Sequence, residues 1–188
     1  MNLPNILTIG RIVLALGFIF MMNQEGWPAL VAALFLFSLA ALTDYFDGHF
    51  ARKHQLISDF GKLMDPLADK FLILAAFFIF VRMGIFPTWA FVVIASREII
   101  VTAFRLWAAA AGKVLSAERF GKWKTALQIT TVIVILLFLI GQRTGQVPPF
   151  LLYGGSELIY GLILGSVVLT LSSGITFLRG LYRGLSQR

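Results

Sequence analysis

The sequence predicts an all-α integral membrane protein with six transmembrane helices and both termini in the cytoplasm. Of its 188 residues, 59% are hydrophobic and only 13% are charged, whereas in a soluble domain about half are apolar and about a quarter are charged. The apolar residues come in long blocks, and one membrane span takes about 20 of them. We interpret residues 1–188 as a single membrane domain, because this is an ordinary length for one domain.

Polar residues and helix breakers divide the chain into six apolar segments. Proline fits the first turn of a helix, so Pro28 and Pro87 indicate helix starts, and the glycines and prolines of residues 141–155 are typical of an external loop. Several segments are short, and these carry Asp, Arg or Lys, which predicts a wet cavity lined by protein at one level of the bundle. The segments are Leu3–Met22, Pro28–Arg52, Pro66–Arg82, Pro87–Ala111, Thr125–Gly141 and Leu158–Leu178.

The charges predict the orientation. The net charge is +7 and there are no cysteines, which excludes disulfides and thiolate metal sites. The basic residues lie at the ends of apolar segments, so membrane topology explains them better than a nucleic-acid partner does, and the positively charged side is expected to be cytoplasmic. That side holds Arg52, Lys53, Lys62, Lys113, Arg119, Lys122, Lys124, Arg179, Arg183 and Arg188, whereas the opposite loops hold Arg82 and Arg143.

Four aspartates lie in or beside two consecutive spans. Asp44 and Asp47 are three residues apart, Asp65 and Asp69 are four apart, and each spacing places the pair on one helical face. Carboxylates near hydrocarbon are costly unless they are paired or bind a metal. Because Mg²⁺ and Mn²⁺ prefer carboxylate oxygens, the pattern predicts a divalent metal site, although intramembrane acids also occur in ion pathways.

Small residues and one arginine accompany the aspartates. Gly48 and Ala51 leave room for a ligand to approach the backbone closely, and the guanidinium of Arg52 suits a phosphate. Together the spacing reads Asp44-x2-Asp47-Gly48-x2-Ala51-Arg52-x8-Gly61-x3-Asp65-x3-Asp69. At all eight fixed positions this pattern is similar to the signature of the CDP-alcohol phosphotransferase family.

Further stretches resemble one branch of that family, the bacterial phosphatidylglycerophosphate synthases. These stretches lie within residues 1–128 and contain Asn5 and Thr8, the aspartates, Arg97 with Glu98, and Lys122 with Lys124. The resemblance implies transfer of a phosphatidyl group from CDP-diacylglycerol to glycerol 3-phosphate, with release of CMP. It also implies a multi-pass protein of the bacterial inner membrane, with its active site facing the cytoplasm, and a homodimer.

The same resemblance implies residue roles. Asp44, Asp47 and Asp65 would bind two divalent metal ions, Mg²⁺ or Mn²⁺, with Asp69 completing the set and acting as the general base. The CDP group would contact Gly48, Ala51, Arg52 and Gly61, and we expect Asn5 and Thr8 to contribute substrate contacts.

Four cations form the predicted acceptor pocket. Glycerol 3-phosphate carries a phosphate dianion, and Arg97, Arg105, Lys122 and Lys124 lie near the expected cytoplasmic ends of two spans. Glu98 shares a helical face with Arg105 and is predicted to orient it. Two plainer interpretations stay open: a structural ion-pair network around Glu98, and lysines that serve only as positive-inside anchors.

Two other functions stay open at this point. A synthase of the same family could use phosphatidylglycerol, serine or inositol phosphate as acceptor, because the aspartate motif reports only the CDP-linked chemistry. A metal or ion transporter could also use four intramembrane carboxylates, although transport does not require the fixed Gly, Ala and Arg positions.

Overall fold

The computed structural model of the protein describes the backbone of residues 3–54, 59–110, 119–147 and 149–186. Within these ranges it describes the side chains of residues 9–43, 70–108, 121, 123–147, 154–177 and 179. The described residues form six α-helices and no strand. The helices are α1 (Leu3–Met22), α2 (Trp27–His54), α3 (Asp59–Arg82), α4 (Thr88–Ala110), α5 (Arg119–Thr144) and α6 (Pro149–Ser186).

The helices follow the predicted segments in order but extend beyond several of them. α3 begins seven residues before Pro66 and α5 begins six residues before Thr125, because a helix continues through polar residues that lie outside an apolar block. The predicted loop over residues 141–155 is shorter in the structure, because α5 runs to Thr144 and α6 begins at Pro149. Gly154 (φ −145°, ψ 18°) marks a kink inside α6.

Three short turns join the helices in antiparallel pairs. Each turn contains a glycine with positive φ: Gly26 (96°), Gly84 (73°) and Gly145 (70°), a conformation that side chains with a Cβ rarely adopt. These turns, residues 23–26, 83–87 and 145–147, lie at one end of the bundle, which we call the turn end. At the other end α2 ends and α3 begins, and we call it the aspartate end.

The core lies between α1, α2, α3 and α5, while α4 packs against α3 and α6 packs against α4 and α5. Towards the turn end this core is aromatic. The rings of Phe18 and Phe37 are 5.6 Å apart, and those of Phe77 and Phe86 stack at 4.5 Å. All four side chains are almost completely buried, so these rings fix how the hairpin α1–α2 and the hairpin α3–α4 pack internally.

The outer surface of the bundle is also apolar. Phe35, Trp107 and Val168 each expose more than 60% of their surface, which suits lipid better than water. Trp123–Thr144 and Gly154–Phe177 are long and apolar enough to cross a membrane, and Ile9–Met22 and Trp27–Thr43 are shorter apolar stretches. The fold is therefore an all-helical bundle of the membrane type.

Candidate active site

The backbone of α2 and α3 carries the four predicted metal ligands. Asp44 and Asp47 lie in the last three turns of α2, and Asp65 and Asp69 lie in the second and third turns of α3. The two spacings are therefore helical, as the sequence predicts. The aspartate side chains lie outside the described residues, as do the side chains of Asn5, Thr8, Gly48, Ala51, Arg52, Gly61 and Lys122, so their roles stay predictions.

A cavity of about 90 Å³ lies beside the aspartate-bearing turns. Four helices line it: α1 through Arg11, α2 through Ala40 and Ala41, α3 through Lys70, Leu72 and Ile73, and α5 through Thr125 and Ile129. Ala40 lies one helical turn before Asp44, and Lys70 directly follows Asp69. A cavity lined by protein is therefore present near the aspartate end, and its lining includes two cationic residues.

A buried ion cluster lies next to this cavity. The Glu98 side chain on α4 is 3% exposed, and its Oε1 accepts a hydrogen bond from Lys124 Nζ on α5. Lys70 Nζ on α3 lies 3.6 Å from Glu98 Oε2, and Arg97 Nη1 lies 3.5 Å from Oε1. We call Lys70, Arg97, Glu98 and Lys124 the Glu98 cluster. It joins three helices, and burial of a carboxylate requires such pairing.

Arg97 extends these contacts to the sixth helix. Its Nη2 donates a 2.6 Å hydrogen bond to Ser173 Oγ on α6. Two further side-chain pairs continue along the α5–α6 interface: Gln128 Nε2 donates to Thr170 Oγ1 at 3.4 Å, and the hydroxyls of Thr131 and Ser166 are 3.3 Å apart. A line of buried polar contacts therefore runs from the Glu98 cluster into the bundle.

The structure brings together only part of the predicted acceptor pocket. Arg97 and Lys124 meet at Glu98, and the burial of Lys124 distinguishes it from an exposed positive-inside anchor. Arg105 lies elsewhere: it is exposed, and its guanidinium lies 5.6 Å from the ring centre of Phe177. The prediction that Glu98 orients Arg105 was wrong, because Glu98 points to α3 and α5 and lies about 10 Å along the helix axis from Arg105.

Two residues of this region, Lys70 and Arg11, are not among the site residues predicted from the sequence. Lys70 lines the cavity and belongs to the Glu98 cluster, and Arg11 is 3% exposed and also lines the cavity. Each carries a readable signal, since Arg11 is the one charged residue within the predicted segment Leu3–Met22 and Lys70 stands at the start of an apolar run. A charged side chain inside a span usually faces the bundle interior.

Comparison with known proteins places the chain in a family. The model of the CDP-alcohol phosphatidyltransferase family matches residues 1–177. The chain is 43% identical over 148 residues to the CDP-diacylglycerol–glycerol-3-phosphate 3-phosphatidyltransferase of Bacillus subtilis, covering 72% of this chain and 77% of the relative. It is 31% identical over 179 residues to the enzyme of that name from Rickettsia typhi, covering 95% and 93%.

A relative with a different name also matches. The cardiolipin synthase (CMP-forming) of Oryza sativa is 37% identical over 150 residues, which cover 72% of this chain and 46% of the relative. The family match over residues 1–177 includes the aspartate motif, the cavity and the Glu98 cluster. The chain therefore belongs to the CDP-alcohol phosphatidyltransferase family.

Proposed function

We propose that this protein transfers the phosphatidyl group of CDP-diacylglycerol to glycerol 3-phosphate, giving phosphatidylglycerophosphate and CMP in phospholipid biosynthesis. The observation that carries the proposal is the 43% identity to the Bacillus subtilis transferase, which extends over most of both chains. The Rickettsia relative, aligned over 95% of this chain, has the same name and supports the same acceptor.

The cavity and its surroundings suit a small phosphorylated acceptor. Arg11 and Lys70 line the cavity, and the buried residue Lys124 directly precedes the lining residue Thr125 in the chain. Cationic side chains form charge-assisted hydrogen bonds with phosphate oxygens. Glycerol 3-phosphate offers such a phosphate, whereas serine and phosphatidylglycerol offer no terminal phosphate dianion. The chemistry of the lining therefore supports the proposed acceptor.

Two divalent metal ions, Mg²⁺ or Mn²⁺, fit the donor set of this chain. The helical spacing of Asp44 with Asp47 and of Asp65 with Asp69 puts each pair on one face, and four carboxylates are the oxygen ligands that these ions prefer. Asp44, Asp47, Asp65 and Asp69 would hold the ions. When bound, such ions neutralise the charge that develops on a diphosphate as its leaving group departs.

The chain's own residues would carry the remaining steps. Gly48, Ala51, Arg52 and Gly61 would bind the CDP group, with Asn5 and Thr8 contributing contacts from α1. The carboxylate of Asp69 would take the proton from the acceptor hydroxyl. The hydroxyl oxygen would then bond to the phosphorus that carries the lipid glycerol, the bond from that phosphorus to the CMP oxygen would break, and CMP would leave with that electron pair.

The membrane arrangement is part of the proposal. The six helices would cross the bacterial inner membrane with both termini in the cytoplasm, which follows from the positive residues at the aspartate end. The active site would face the cytoplasm, and the lipid tails of CDP-diacylglycerol would enter from the cytoplasmic leaflet. A homodimer is proposed on the family resemblance.

A second acceptor has one specific observation in its favour. The Oryza sativa relative is named as a cardiolipin synthase that forms CMP, which makes phosphatidylglycerol the second candidate. Serine and inositol phosphate are further acceptors to test. Membership of a transferase family leaves the transporter hypothesis without specific support.

One assay separates these functions. Purified protein in detergent is given CDP-diacylglycerol and Mg²⁺ or Mn²⁺, then each acceptor in turn, and CMP release and the lipid product are measured. We expect rapid CMP release with glycerol 3-phosphate only. Turnover with phosphatidylglycerol alone would make the protein a cardiolipin synthase, and metal flux into vesicles without CMP release would identify a transporter.

A further inference from the structure

Glu98 is a single carboxylate surrounded by cations from three helices. It is 3% exposed, yet it contacts Lys70 from α3, Lys124 from α5 and its neighbour Arg97. Lys70 and Lys124 contact this one carboxylate from two different helices, and Arg97 also donates a hydrogen bond to Ser173. Two ammonium groups that contact one carboxylate keep further N–H donors, which phosphate oxygens can accept.

The geometry points to Glu98 as a positioning residue for the phosphate of the acceptor. It would hold the ammonium group of Lys70, which lines the cavity, close to that of Lys124, and the two would bind that phosphate. This inference rests on the proposed function, since it concerns the acceptor of the same reaction. Glu98 itself would not touch the acceptor.

The accessibility of the two lysines supports this division of roles. The Lys124 side chain is 4% exposed and forms the closest contact with Glu98, so the carboxylate fixes its position. The Lys70 side chain is 27% exposed, lines the cavity and lies 3.6 Å from the other carboxylate oxygen. An ammonium group has three donors, so each lysine retains donors for a ligand while it contacts Glu98.

The position of Lys70 in the sequence links this cluster to catalysis. Lys70 directly follows Asp69, the predicted base, and the next lining residues are Leu72 and Ile73 on the same helix. A contact that fixes Lys70 therefore also fixes the turn of α3 that carries Asp69. Without the Glu98 charge, the neighbouring ammonium groups would repel each other at low dielectric, and the turn and the phosphate site would lose their alignment.

The test is a double-mutant cycle with Glu98→Gln and Lys124→Met, both close in size to the native residues. CMP release is measured against glycerol 3-phosphate at saturating CDP-diacylglycerol, and then with the two substrates exchanged. Glu98→Gln should raise the KM for glycerol 3-phosphate about tenfold or more, the effect of losing a charge-assisted hydrogen bond. The KM for CDP-diacylglycerol should change by less than about twofold.

The double variant of Glu98→Gln with Lys124→Met and two further single variants, Glu98→Asp and Glu157→Gln, complete the experiment. In the Lys124→Met background, Glu98→Gln should add only about two- to threefold, through Lys70, because coupled neighbours are not additive. Glu98→Asp keeps the charge but retracts it by one methylene group, so its KM for glycerol 3-phosphate should lie between wild type and Glu98→Gln. Glu157→Gln is the matched control, since Glu157 is exposed near the turn end, and it should match wild type.

Several results would overturn the inference. Equal changes in both KM values would make Glu98 merely structural, and a lower KM for glycerol 3-phosphate in Glu98→Gln would mean that Glu98 competes with the acceptor for the lysines. Fully additive effects in the cycle would separate Glu98 from Lys124. If Glu98→Gln does not fold, an unchanged KM in Glu98→Asp overturns the inference instead. Wild-type protein that releases no CMP with glycerol 3-phosphate would refute the proposed function itself, a result distinct from all of these.

Discussion

The two ends of the bundle are built from different side chains, although the same six helices form both. Towards the turn end, the described core is apolar and aromatic, with Phe18 against Phe37 and Phe77 against Phe86. The buried polar side chains among the described residues lie from the middle of the helices towards the aspartate end. They are Arg11, Glu98, Lys124, Gln128, Thr131, Ser166, Thr170 and Ser173.

The change from polar to apolar buried side chains occurs within single helices. Along α5 the buried residues change from Lys124, Gln128 and Thr131 to Val132, Ile135 and Leu136 within a few turns. A bundle needs no buried charge to be stable, because apolar packing alone suffices and buried ions cost desolvation energy. The polar half is therefore where the proposed acceptor site lies, and the apolar half packs the helices that carry it.

The largest expected loss of activity comes from substituting the predicted metal ligands at the aspartate end. Asp44→Asn, Asp47→Asn and Asp65→Asn should each nearly abolish CMP release, because a neutral amide weakens the predicted metal site. Excess chelator should abolish wild-type activity, and Mg²⁺ or Mn²⁺ should restore it. The control is Ile135→Val at the apolar half, which should lower stability by about 0.5–1.5 kcal/mol and leave turnover intact. Full activity in chelator would refute the metal prediction.

Asp69 should give the next largest effect. If it is the general base, Asp69→Asn should lower kcat about 10²–10⁴-fold, while the affinity for CDP-diacylglycerol falls much less. Single-turnover rates and equilibrium binding of the CDP-lipid measure the two quantities separately. Losses of equal size in both would reduce Asp69 to a metal ligand.

A third prediction tests whether burial at the aspartate end marks the acceptor site. Lys124→Ala should raise the KM for glycerol 3-phosphate about ten- to a hundredfold, since it removes a charge-assisted hydrogen bond. Arg105→Ala should raise it less, because Arg105 is exposed and lies over Phe177. Arg143→Ala, exposed near the turn end, is the control. A larger effect for Arg105 than for Lys124 would place the acceptor outside the Glu98 cluster.

The smallest expected effect concerns the polar contacts deeper in the bundle. A cycle of Thr131→Val and Ser166→Ala should give a coupling of about 0.6 kcal/mol, the average for hydrogen bonds between membrane helices. Unfolding in mixed micelles measures the coupling, and both KM values should stay at wild-type levels. A change in the KM for glycerol 3-phosphate would extend the acceptor site towards α6.

The sequence predicted the helices well and the charged contacts less well. Six segments followed from apolar blocks, but the loop predicted over 141–155 was too long, because most helical stability comes from packing and both helices continue into this range. The spacing of Glu98 and Arg105 predicted a shared helical face. It could not reveal that α3 and α5 bring Lys70 and Lys124 to Glu98 first, because such pairings depend on how distant segments pack.

The contacts of α6 have a consequence for how the protein is assembled. In the described residues, α6 packs only on α4 and α5, and its buried serine and threonine partners all lie on those two helices. Because α6 emerges from the ribosome after α4 and α5, it can dock onto a surface that these two helices already form, and it does not need to pass between the aspartate-bearing helices. Its three polar contacts lie on one face, and a rotation by one residue, about 100°, would break all of them. These contacts therefore define the rotational setting of α6 against α4 and α5.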